Sequence, residues 1–198
     1  IGSVEIKGRP HNQPPAMAFL GSKHAATLRD YVEAIDSAAK SDEVGTVLVR
    51  LKDAQLSMSQ TEELGAAIKR VRASGKKVSV FSEAYDATDL LLASYADNAI
   101  LQSGGPVSLP GLHMEEMFLA DTLAWAGLKA DMVQVGDYKG ANEQMTRSKP
   151  SEPWDKNINQ LLDSLYAKVR EPMLAGRRMN DAQLDDAIRK VQIVTAAH

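Results

Sequence analysis

The 198-residue chain has no cysteine. Thiolate nucleophiles, thiolate zinc sites and disulfide frameworks are therefore excluded. A Gly-x-Ser-x-Gly nucleophile elbow is also missing. His11, His24, His113 and His198 show no metal-ligand spacing on a helix, so loop or surface histidines are expected, with no metal and no cofactor. Gly104-Gly105 precedes Pro106 and a short strand-like segment rather than a helix. It reads as a turn, because a phosphate loop needs a row of free helix N–H groups. One lysine stands out. Lys139 lies in Val135-Gly136-Asp137-Tyr138-Lys139-Gly140-Ala141-Asn142-Glu143, just after a predicted strand, Ala130–Val135. Ligand crevices of open α/β sheets form beyond the carboxyl ends of parallel strands.

The elements that would position this lysine alternate between strand and helix. Val4–Ile6, Gly45–Leu51, Lys77–Phe81, Ala99–Leu101, Val107–Leu109 and Ala130–Val135 read as strands. Thr27–Lys40 carries Leu28, Val32, Ile35 and Ala39 on one helical face, with Thr27 as its cap. Ser59-Gln60-Thr61-Glu62 has capping-box spacing ahead of Leu64, Ile68 and Val71, and Gly75 stands at a C-terminal cap position. Further helices are expected at Thr88–Ala96, at Met114–Ala126, at Trp154–Arg170 with Pro172 ending or kinking it, and from Asn180 through Leu184, Ile188 and Val191. Ten- to fifteen-residue helices between short strands indicate right-handed βαβ units and a mostly parallel sheet.

Composition agrees with one globular domain. Apolar residues make up 44% and charged residues 25%, with a net charge of -3. The acidic balance argues against nucleic acid as a partner. The basic run Lys69, Arg70, Arg72, Lys76 and Lys77 falls at a helix C-terminus, where cations favour the dipole, and reads as a solvated face. Met114, Met117, Phe118 and Leu123 form an apolar stripe, expected in the core, or else at a partner surface. No apolar run reaches about 18 residues, the length of a membrane span. The start at Ile1 without Met suggests a piece of a longer polypeptide.

The lysine segment resembles the Gly-x-Tyr-Lys-Ser-Ala-x-Glu stretch of the signal peptide peptidase A family, Ser–Lys proteases of the Clp protease/crotonase fold. Leu92-Ala93-Ser94-Tyr95-Ala96-Asp97-Asn98-Ala99-Ile100 resembles that family's stretch ending in Ala-Ser-x-Ala-Asp/Asn. Ser103–Gly111 resembles the Gly/Pro and β segment that follows it. Strand Thr46–Leu51, the helix from Ser59 and helix Trp154–Arg170 match in order and spacing. The resemblance implies that Lys139 is the catalytic general base. Two departures accompany it. Where nucleophile-bearing units have Ser-Gly-Gly, this chain has Ala87-Thr88-Asp89. Where a Gly-rich turn supplies an oxyanion donor, it has Asp53-Ala54-Gln55-Leu56-Ser57-Met58.

The pattern resembles the lysine-donating N-terminal half of the family's long tandem form. The expectation is a single crotonase-like domain, residues 1–198, from a longer tandem-domain protein. The missing second half would supply the serine. The resemblance further implies signal peptides as substrate, a homo-oligomer, and membrane association on the extracytoplasmic, periplasmic side. A non-catalytic scaffold for oligomer assembly is the alternative. An acyl-thioester binder on the related crotonase fold fits least, since a glycine for one oxyanion donor is missing. To act as a base, Lys139 must fall from a reference pKa of about 10.4 to roughly 7–8, which requires burial away from other cations.

Overall fold

A computed structural model of the chain describes residues 1–12, 26–109, 112–133, 135–136, 139–190 and 193–195. His24, His198, Asp137, Tyr138 and Val191 lie outside the described residues. Two compact units are distinguished. One comprises Ile1–Gly111 with Arg170–His198, the other Leu112–Val169.

In the first unit, β1 (Gly2–Lys7), β2 (Thr46–Lys52), β3 (Lys77–Ser82) and β4 (Asn98–Leu101) lie side by side in chain order. All three pairings are parallel, with Val4 opposite Val49, Val49 opposite Val80 and Val80 opposite Ala99. Parallel neighbours need crossovers, and α1 (Leu28–Lys40), α2 (Met58–Ala73) and α3 (Ala87–Ser94) supply them. Strand alternation decides which face is covered. Val47, Val49 and Leu51 of β2, and Val78, Val80 and Ser82 of β3, are buried. Ile35 of α1 and Leu64, Ala67, Ile68 and Val71 of α2 join this core, all fully enclosed. Each large aliphatic side chain so buried contributes roughly 1.5–3 kcal/mol. This is the α/β class with a mostly parallel sheet expected from the sequence.

The helix caps follow the sequence with one change of register. Thr27 caps α1 in a reciprocal box with Asp30. The cap of α2 is Ser57 paired with Gln60, not Ser59 with Glu62. Both serines have a polar residue three positions on, so the local pattern alone allows either. Gly75, at φ +84°, ends the helix in the left-handed region that glycine reaches without strain.

The basic run is not simply solvated. Arg70 pairs with Asp36 of α1 at 2.9 and 2.8 Å, and Lys76 donates to the carbonyls of Ala38 and Ser41. Arg72 donates to the Tyr95 carbonyl at 2.9 Å and approaches Asp97 at 3.2 Å. These cations tie α2 to its neighbours.

Pro172 does not end a helix. It lies inside α6 (Glu152–Arg177), whose last turns belong to the first unit. Met173 is buried there, Gly176 packs so closely on Ser94 that a Cβ would collide with its carbonyl, and Arg177 donates to the Ala93 carbonyl. These contacts fix the helical turn that follows the proline, which itself removes one i→i−4 hydrogen bond. Helix α7 (Asp181–Lys190) follows, and β6 (Ile193–Thr195) pairs antiparallel with β5 (Pro106–Ser108).

The second unit contains α4 (Ala120–Trp125), a 3-10 turn (Gly140–Asn142), α5 (Glu143–Thr146) and the first part of α6. Two expectations are corrected here. The helix over 114–126 forms only at Ala120–Trp125, and Met114, Met117, Phe118 and Leu123 are not buried. Residues 130–133 and 135 form no strand. Val133 is 94% exposed and Val135 79%. A parallel strand exists only through hydrogen bonds to a neighbour, and among the described residues this segment has none. Among the described residues, no strand leads into Lys139.

Candidate active site

At the carboxyl edge of the first unit's sheet, β3 leads into α3. β3 exits at Ser82, whose hydroxyl donates to the Ala84 carbonyl at 2.5 Å. Tyr85 is buried, and its hydroxyl lies 2.9 Å from the Val80 carbonyl and 3.1 Å from that of Ile100. Burial pushes this phenol up to about 12. Asp86 caps α3 by accepting from the Asp89 N–H at 2.8 Å. Ala87 is thus the first residue of α3. A methyl group stands there, and it can neither attack a carbonyl nor lose a proton.

The loop after β2 leaves the same edge. Asp53 adopts φ +49°, and Gln55 donates to the Gly8 carbonyl at 3.0 Å. A left-handed residue is therefore present in this glycine-free loop, as an aspartate, which tolerates this region. The absence of glycine does not by itself exclude the local geometry of an oxyanion donor.

Asp89 lies two residues beyond Ala87 and is only 6% exposed. Its Oδ1 has no hydrogen-bond partner among the described residues. Burial, then the nearby Asp86 charge, push its carboxyl up to about 7.

Lys139 belongs to the second unit. Its side chain is exposed, and its N–H donates to the Gly136 carbonyl at 3.3 Å. The turn after it is strongly held. Gly140 is buried against Trp154, and a Cβ at that position would collide with the indole. Glu143 is only 5% exposed. It accepts from the Ser151 N–H at 2.7 Å and from the Ser151 hydroxyl at 2.5 Å. Arg147 stands 3.8 Å away. The Ser151 hydroxyl also accepts from the Trp154 N–H at 3.2 Å, capping α6. Phe118 meets the Trp154 ring edge-on, with centroids 5.8 Å apart. Beside these rings is a hollow of about 410 Å³, lined also by Met114, Lys149, Ile158 and Leu162.

Residues 70–196, more than half of the chain, match Peptidase family S49. The chain belongs to this family. Among curated relatives, "Protease 4" of Haemophilus influenzae is 26% identical over 155 residues, covering 76% of this chain and 25% of the relative. "Protease 4" of Salmonella typhi is 25% identical over 159 residues, covering 80% and 26%. The chain thus spans about a quarter of the length of these relatives. Among solved structures, a mutant of the 1510-N membrane-bound stomatin-specific protease matches 98% of this chain and 72% of its own, with 12% identity and a TM-score of 0.50. That likeness concerns the fold.

For this S49 member, sequence reasoning singled out Lys139 and Ala87 but missed Ser151 and Trp154. Ser151-Glu152-Pro153 is a legible helix start, with a serine cap followed by an acid and a proline. What it caps against, a buried glutamate from another element, has no local sequence signal.

Proposed function

We propose that this chain is the lysine-donating domain of a signal-peptide-degrading Ser–Lys endopeptidase, with the nucleophilic serine supplied by a second domain of the same polypeptide. The observation that carries the reading is a mismatch within one S49 chain. The Lys139 turn is built and anchored, while Ala87 fills the helix-start position at which a nucleophile would stand. The quarter-length match to the Protease 4 relatives leaves room for the other half. In this reading the serine-bearing domain covers Lys139 and desolvates it, favouring the neutral amine that accepts the serine proton. The protein acts as a homo-oligomer, associated with the membrane on its extracytoplasmic side. No described helix of this chain is long and apolar enough to cross a membrane.

The test uses the full-length protein. Lys139→Ala is expected to lower peptidase kcat by roughly 100- to 10,000-fold, the usual range for loss of a general base. Lys139→Arg is expected to be as damaging, because guanidinium does not give up its proton near neutral pH. Near-normal activity of Lys139→Arg would reject the base. It would favour the scaffold reading, which the uncovered apolar side chains of residues 112–135 support. The 198-residue chain alone is expected to show no peptidase turnover and no labelling by a serine-directed probe.

A further inference from the structure

We propose that Glu143 is a positioning residue for Lys139, acting by clasping Ser151 at the start of α6. The inference rests on Lys139 being the base, and it adds what fixes the place of that base.

The clasp has features that helix capping alone does not require. A buried carboxylate is costly unless its lone pairs are satisfied. Glu143 meets that cost with both donors of a single residue, the N–H and the hydroxyl of Ser151. Ser151 could cap α6 without help, and its hydroxyl already accepts from Trp154 N–H. The glutamate adds a tie between the first turn of α6 and the residue four positions after Lys139. A second tie runs in parallel, since Gly140, the residue next to the lysine, is pressed against Trp154 of that same turn. Lys139 is therefore followed by two anchors, one polar and one steric, both on residues 151–154. The α6 N-terminus also favours the negative charge of Glu143. Without these ties an exposed lysine on a short loop samples many positions. A base displaced by about 1 Å can cost roughly 100-fold in rate.

The experiment separates positioning from helix stability, and both from the identity of the base. In the full-length protein, Ser151→Asp retains a good N-cap for α6 but sets a carboxylate against Glu143. Glu143→Gln keeps the shape and turns an amide NH₂ toward a donor. Both are expected to lower kcat about 10- to 100-fold, with KM within about two-fold, the melting temperature little changed and the acid limb of the pH–rate profile in place. Hydrogen exchange at residues 139–143 is expected to quicken by about ten-fold in both variants. Unchanged kcat in a folded variant overturns the proposal, even if exchange quickens. A displaced acid limb with an unaltered plateau overturns it too, because the clasp would then tune proton affinity. Should Ser151→Asp not fold, Glu143→Gln decides alone. Retained activity of Lys139→Arg sinks the base assignment instead, and the exchange measurement still reports whether the clasp exists.

Discussion

The two units hold themselves together by different means. In the first, aliphatic side chains from three strands and three helices are fully enclosed, and the capped helices pack on an in-order parallel sheet. In the second, no apolar side chain among the described residues is buried. Its enclosed groups are the backbone of Gly140 and the carboxylate of Glu143. Met117 is 70% exposed, Trp125 89% and Val133 94%. A unit of this size without an apolar core lacks the term that offsets chain entropy. Lys139, the proposed base, thus sits in the unit with no buried apolar side chain among the described residues, beside a polar clasp and a glycine–tryptophan contact. The unit with the enclosed core carries Ala87 at the start of α3, where the resemblance implies a nucleophile.

The sharpest way to break this contrast is to cut into each unit in turn. Leu64→Ala, in the first core, is expected to destabilise the purified 198-residue chain by about 2–5 kcal/mol in urea denaturation, from lost transfer energy and a residual cavity. A loss under about 1 kcal/mol would mean that this core is not what holds the unit.

A gain is expected at Asp89. Its carboxyl rises from 3.8 to about 7 on folding, so the folded state holds its proton more tightly than the unfolded state. Stability therefore falls as pH rises from about 4 to 7, and the loss is constant above that range. Asp89→Asn has no such titration. It is expected to be more stable than the parent by about 1–3 kcal/mol at pH 8, with the difference shrinking to near zero at pH 4, as read from paired denaturation curves. A pH-independent difference would show that the carboxyl does not titrate in this way.

The second unit is sharpened by a coupled pair. Gly140→Ser restores the residue that the resembling family carries, but its Cβ meets the Trp154 ring. Hydrogen exchange across residues 139–143 is expected to show a local loss of about 1–3 kcal/mol, in the range of overpacking. Adding Trp154→Ala should recover part of it, giving a non-additive cycle. Strict additivity would refute the contact. The smallest effect is expected at Lys139 itself. Lys139→Ala in this chain should change stability by less than about 0.5 kcal/mol, because its exposed side chain supports nothing here. A larger change would make the lysine structural.

The sheet, its three crossover helices and the caps at Thr27 and Gly75 were legible in the sequence, because their signals are local. Strand alternation at Val47, Val49 and Leu51, helical spacing at Leu64, Ile68 and Val71, and the caps at Thr27 and Gly75 each act within a few residues. Lys139 was singled out through its motif, but the strand expected before it does not form among the described residues. Tertiary structure decided the rest. Whether 130–135 becomes a strand depends on a partner edge that no local pattern contains. Whether Pro172 breaks a helix depends on Ser94 and Ala93, far off in the chain. Asp53 reaches a left-handed turn without glycine because its surroundings fix the chain there. Asp89 and Glu143 are alike as sequence letters and both are buried. One is left with an unpartnered oxygen, while the other is matched to both donors of Ser151. Burial sets a carboxylate's proton affinity, and the residues that meet it set its role. Both arise only when distant segments are packed together.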